Sequence, residues 1–395
     1  MHTFTLTLLS LLPFSLASTH SRPNDSGSFS SLTQSYYPPT ADCIDHLIPV
    51  PITSSNFFFN FTKWTSDLEL TDFLSIATTR PSAGFPGVLE PPTAPETATF
   101  EIAASFCTPK IKNGKEKTVI FATHGIGPAR AHWNSPWRPE EFNFVQAAVA
   151  EGYSVFFYDR LGCGASQKIS GFKNQLSIAT SIIQVLTSFV RAGQYTGDIK
   201  AEKIAHIGFS FGALATHGAI SMTPEISDAV ILTAIGFNSS GLNVNGLARS
   251  FVPRIAALQN PRLYGDRDNG MVTWVDKFAQ VQNYFKKPNF DEATIDFVEA
   301  AKEPFAITEF LTLLTGPTDA SNFTKPALHI SGEQDYIFCD GLCTGIFEEP
   351  ARTIYKNANP LQLTLHPGAS HNINFHHNAT GAYRVITDFL KNNGL

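Results

Sequence analysis

From residue 118 onward the chain alternates short apolar, β-rich runs with longer segments of helical periodicity, and that rhythm leaves few folds open. The runs are TVIFAT at 118–123, YSVFFY at 153–158, IAHIG at 204–208, AVILTA at 229–234, ALHI at 327–330 and LQLTL at 361–365. Most are continuously apolar, as strands buried on both faces must be, and they are separated by helical candidates at 141–151, 176–192, 211–221 and 381–391. Between 176 and 192, Leu176, Ile178, Ala179, Ile182, Ile183, Leu186, Phe189 and Val190 recur at helical spacing. The expectation is an α/β fold with a mostly parallel central sheet flanked by helices. Apolar residues make up 43% of the 395 and charged residues 16%, ample for such a core. The rhythm stops at 238–325, where no strand is expected but 274–285 and 291–302 look helical, so this segment reads as an inserted helical cap. Upstream, 46–60 carries β-formers and 100–106 reads as a strand. The stretch 80–96 holds Pro81, Pro86, Pro91, Pro92 and Pro95 and is expected to be irregular.

Gly208-Phe209-Ser210-Phe211-Gly212 lies where one apolar run meets an Ala/Gly-rich helix. A serine at such a turn needs a strained backbone and small residues two before and two after, because strand and helix approach closely there. In return its hydroxyl stands above the sheet, beside a helix N-terminus that favours developing negative charge. A Gly-flanked structural turn is the bland alternative; the strand and helix around it favour a nucleophile. A serine hydroxyl needs a base, and the base an orienting carboxylate. Asp335 follows the 327–330 run and His371 follows the 361–365 run, both on loops beyond strand C-terminal ends. Glu333 and Asp340 are rival acids, and His366, His376 and His377 rival bases. His366 sits too near its strand end, and His376-His377 reads as a solvated surface pair. After the 118–123 run comes His124-Gly125-Ile126-Gly127, where the N–H of Ile126 would join that of Phe211 as an oxyanion hole. His124 is expected to brace this loop. Phe209, Phe211, Trp133, Trp137 and Phe142 suggest an apolar pocket, although core packing explains any one of them.

These motifs, in this order, resemble the α/β-hydrolase fold family, in the group that opens its core with an H-G-x-G turn. The segment Asp159 to Ser166 resembles that family's D-x-x-G-x-G-x-S turn. The resemblance runs from about Glu96 to the C-terminus and implies that Asp159 and Arg160 organise loops near the site without being catalytic. The long N-terminal region and Cys163 depart from the pattern. The layout is also similar to secreted fungal α/β-hydrolases, some of which tailor metabolites. The implied activity is two-step acyl transfer on an ester, lactone or similar carbonyl, with no cofactor or metal. The rival readings are non-hydrolytic chemistry at the same triad (acyl transfer, lyase or cyclisation) and a non-catalytic binding protein. Epoxide hydrolase or dehalogenase chemistry is disfavoured, since those use Asp at the elbow.

Residues 1–17 read as a signal peptide: a short apolar run ending in Ser15-Leu16-Ala17, below the roughly 20 residues of a membrane span. Residues 18–96 then form an N-terminal arm with leading strands, and 97–395 the catalytic domain. Five N-x-Ser/Thr sequons, at Asn24, Asn60, Asn238, Asn322 and Asn378, agree with export. Of Cys43, Cys107, Cys163, Cys339 and Cys343, at least one must stay unpaired within the chain, and Cys43–Cys107 and Cys339–Cys343 are candidate pairs. A net charge of −6 without basic clusters gives no nucleic-acid footprint. The expected partner is a small, apolar carbonyl substrate; the oligomeric state is not legible.

Overall fold

The computed structural model describes residues 36–79, 89–238, 241 and 244–395. The signal peptide, residues 18–35 and 80–88, and with them Asn24, lie outside these residues.

Fifteen-residue strands β1 (Ala41–Ser55) and β4 (Pro95–Pro109) pair antiparallel along their whole length, and Cys43 faces Cys107 in that register. The two are joined by a disulfide. Strand β4 outruns the expected 100–106 because its polar first half alternates exposed and half-buried residues and is held by β1. The 80–96 stretch is not wholly irregular either. Leu89–Glu90 (β3) pairs with Phe58–Phe59 (β2), and Pro95 opens β4, a position where proline need not donate to the ladder.

The remaining core strands are β5 (Thr118–Thr123), β6 (Ser154–Tyr158), β7 (Lys203–Phe209), β8 (Ala229–Thr233), β12 (Ala327–Gly332) and β13 (Leu361–His366). The sheet order is β1-β4-β6-β5-β7-β8-β12-β13, parallel from β6 to β13. Five of these six are buried along nearly their entire length, which is why they read as continuous apolar runs; β13, on the sheet edge, is half-buried. Helix α1 (Asp67–Ala77) precedes the core. The helix expected at 141–151 is broken into α2 (Pro139–Phe142) and α3 (Phe144–Ala150). Asn143 makes the break: its side chain accepts from the Gln146 N–H and donates to Asn134 Oδ1 and the Ser135 carbonyl. Helices α4 (Leu176–Arg191) and α5 (Phe211–Met222) follow.

Between β8 and β12 lies the cap. It carries α6 (Val244–Phe251), α7 (Ala256–Gln259), α8 (Pro261–Tyr264), α9 (Lys277–Tyr284), α10 (Glu292–Ala300) and α11 (Ile307–Leu311). Contrary to expectation it also holds a small antiparallel sheet of β9 (Arg254–Ile255), β10 (Met271–Thr273) and β11 (Phe305–Ala306). Two- and three-residue strands are too short to display alternation, so tertiary pairing decides them. The core closes with α12 (Tyr336–Cys339), α13 (Glu348–Ile354) and α14 (Ala379–Asn392).

Candidate active site

Ser210 sits between β7 and α5 with φ 53° and ψ −119°, a left-handed conformation that non-glycine residues seldom adopt. The flanking glycines make this possible. A Cβ on Gly212 would lie 2.4 Å from the Thr123 and His124 carbonyl oxygens, and one on Gly208 2.6 Å from the Ala213 Cα. The Ser210 N–H donates to the Thr233 carbonyl at 3.0 Å, fixing the turn to β8.

Two further loops bring their side chains to this hydroxyl. His371 Nε2 lies 2.8 Å from Ser210 Oγ, and His371 Nδ1 lies 2.8 Å from Asp335 Oδ2. Asp335 caps α12: its Oδ1 accepts from the Ile337 and Phe338 N–H groups at 2.8 and 3.1 Å. Asp335 and His371 are fully buried and Ser210 is 8% exposed. The disulfide Cys339–Cys343 closes the loop that follows Asp335, and the Cys343 N–H donates to the Glu333 carbonyl. The rivals are committed elsewhere. Glu333 accepts from the Gly368 N–H, His366 bonds the Asn378 carbonyl, and Asp340 is exposed. His376 is not a surface residue. It is buried, stacked on Phe285 at 5.2 Å, and its Nε2 accepts from the Lys286 and Ser370 N–H groups. His377, half-exposed, lies 3.2 Å from Asp291.

The loop after β5 faces Ser210. The N–H groups of Ile126 and Phe211 make no hydrogen bond within the described residues; Phe211 opens its helix and has no intrahelical acceptor. His124 Nδ1 lies 2.7 Å from the Gly125 carbonyl, while its Nε2 accepts from the Arg160 N–H at 2.9 Å. That pair of contacts requires the neutral Nδ1–H tautomer, and burial, with Arg160 adding to it, holds the imidazole well below its ordinary pKa. The Gly125–Ile126 peptide plane is thereby pinned. Asp159 accepts from the Arg130 and Ala165 N–H groups. Arg160 pairs with Glu309 of the cap at 2.5 Å and lies 4.3 Å from the Phe211 ring centre.

A small cavity of about 20 Å³ adjoins Ser210, lined by Ile126, Phe211, Leu214, Leu247, Phe251, Tyr284, Phe310, Leu313, Ile337 and Phe338. It is apolar and partly aromatic, but of the five aromatics expected there only Phe211 contributes. Phe209 stacks on His132, Trp133 and Phe142 are core, and Trp137 stacks on Phe297 of the cap. Ile337 and Phe338 were findable as neighbours of Asp335. Leu247, Phe251, Tyr284, Phe310 and Leu313 carry no local signal, since the cap must fold over the sheet before they meet Ser210. Among the described residues no group of three or more His, Cys, Asp or Glu side chains is placed to hold a metal ion. No helix among them is long and apolar enough to cross a membrane.

The model of the alpha/beta hydrolase family matches residues 119–382. No curated protein matches the sequence. Similar solved structures include a thermophilic esterase from Thermogutta terrifontis, at 17% identity and a TM-score of 0.51, covering 74% of this chain and 94% of that one. The 2-hydroxy-6-oxo-6-phenylhexa-2,4-dienoate hydrolase of Rhodococcus sp. strain RHA1 is 18% identical with a TM-score of 0.50, covering 74% and 96%. The hypothetical protein PA2218 from Pseudomonas aeruginosa, 14% identical with a TM-score of 0.50, covers 91% of this chain and 97% of its own. At these identities the likeness is one of fold.

Proposed function

Because the chain belongs to the alpha/beta hydrolase family, we propose that it is an exported serine hydrolase that cleaves an uncharged, apolar ester or similar carbonyl substrate. The observation that carries this reading is the continuous relay from Asp335 through His371 to Ser210, two contacts of 2.8 Å, beneath two unspent backbone N–H groups.

The mechanism follows from donor and acceptor roles. With its Nδ1–H donated to Asp335, His371 offers a lone pair at Nε2, which takes the Ser210 proton as Oγ attacks the carbonyl carbon. Negative charge then develops on the carbonyl oxygen, where the Ile126 and Phe211 N–H groups meet it; one such donor is worth roughly 2.7–4 kcal/mol in the barrier. His371 returns the proton to the leaving alkoxide. Water, deprotonated by the same nitrogen, releases the acid and regenerates Ser210. The apolar lining favours an uncharged acyl or alkyl group. A cavity of about 20 Å³ has room for little more than one water, so substrate entry requires the cap side chains to move. Export is supported by the two disulfides and by exposed sequons at Asn60, Asn322 and Asn378; Asn238 is half-buried.

The test is fluorophosphonate labelling and ester turnover of the purified protein beside Ser210→Ala. Labelling and turnover should vanish in the variant while its unfolding transition stays that of the wild type. Equal turnover in the two proteins would remove Ser210 from the mechanism. Product analysis in ¹⁸O-labelled water separates hydrolysis from transfer to another acceptor.

A further inference from the structure

Tyr284 ends the cap helix α9 and touches both the 124–127 turn and the His371 loop. Its hydroxyl donates to the Ile126 carbonyl at 3.0 Å, its ring stands edge-on to the His371 imidazole at 5.1 Å, and its own carbonyl accepts from the Asn372 N–H at 3.0 Å. The residue is buried, and burial pushes its phenol well above the ordinary value, so it remains a donor. His124 fixes the peptide plane before Ile126; the plane after it is fixed from the cap. A second cap contact reinforces this, the Glu303 N–H donating to the Gly127 carbonyl at 2.9 Å. The cavity beside Ser210, about 20 Å³, must also enlarge to take an ester, so cap side chains have to move.

We infer that Tyr284 is a positioning residue that completes the oxyanion site only when the cap is closed, coupling closure over the substrate to alignment of the Ile126 N–H and His371. Building on the serine-hydrolase reading above, this gives the cap a part in the chemistry as well as in enclosure. With the cap displaced the Ile126 carbonyl loses its partner, and the peptide plane after the donor is no longer held, while His124 still holds the plane before it. Stabilisation of the oxyanion is then strongest for a substrate already enclosed, which disfavours attack by Ser210 on molecules that fail to fit beneath the cap.

The test is Tyr284→Phe, which keeps the ring against His371, Phe251 and Trp274 and deletes only the hydroxyl. With a p-nitrophenyl ester, kcat should fall roughly tenfold, the effect of losing one net hydrogen bond felt in the transition state, while KM stays within about twofold. A packing role alone would lower the unfolding midpoint and leave kcat intact, and that result overturns the inference. Should the variant not fold, hydrogen exchange on the wild type decides. The Glu303 and Asn372 amides should open together and slow together once the protein is treated with a fluorophosphonate; independent opening overturns the coupling. An inactive wild type brings down the reading of the site and the role of Tyr284 with it. An active wild type with an equally active Y284F brings down that role alone.

Discussion

At the scale of single residues, the site is a set of commitments that leave each group one thing to do. Asp335 accepts three N–H groups, from His371, Ile337 and Phe338, so its carboxylate is held both to the imidazole and to the start of α12. Asp335→Asn keeps the shape but presents an amide N–H toward Nδ1, favouring the tautomer that protonates Nε2 and blocks the base. On the proposed mechanism kcat should fall about 10⁴-fold with the fold preserved, as for a triad carboxylate elsewhere. Steady-state ester kinetics alongside circular dichroism checks this; a loss below about tenfold would mean that His371 is oriented by other contacts.

At the scale of elements, the cap is fastened to the core by a buried ion pair. Arg160, on the loop after β6, and Glu309, in α11, are each almost fully enclosed, and Glu309 also accepts from the Ala306 N–H at 3.0 Å. The Arg160 Nε and Nη2 have no hydrogen-bond partner among the described residues, and its guanidinium faces the Phe211 ring. Removing the carboxylate strands a buried charge, so Glu309→Ala should cost about 3–5 kcal/mol in urea unfolding, whereas an exposed pair would cost under about 1 kcal/mol. The cap is also tied to the region before residue 119, which lies outside the family match. Trp64 Nε1 donates to the Asn269 carbonyl, Asp67 accepts from the Ile255 N–H, and Arg249 donates to Thr78. Residues 64–78 thus strap the cap.

At the scale of the whole molecule, burial of imidazoles sets an acid limit. Desolvation pulls His132, His206 and His329 down to about 3, and His217 and His376 to about 4. In the unfolded chain these groups take up protons near pH 6.5. Below that pH the unfolded state therefore binds more protons than the folded one, and stability present above about 6.5 is lost as pH falls toward 4. Among the described residues His329 has no hydrogen-bond partner on either ring nitrogen. His329→Leu, close in volume, should hold stability at pH 7 and flatten the acid limb by about 1 kcal/mol per pH unit, read from urea unfolding at pH 7, 6 and 5. Parallel limbs for the two proteins would show that His329 does not contribute. The parallel strands of the sheet, the Ser210 turn, the 124–127 turn and the loops bearing Asp335 and His371 were legible along the chain. Burial of parallel strands on both faces leaves uninterrupted apolar runs, and a turn that admits only glycine at 208 and 212 leaves a local spelling. The sequence misread 80–96, the cap strands and His376, because short pairings and the burial of a polar ring are decided by distant partners. What encloses the site emerges from the folded cap. Tyr284, Phe251, Phe310 and Glu309 acquire their contacts when the cap folds across the strand ends, and no spacing along the chain encodes that approach.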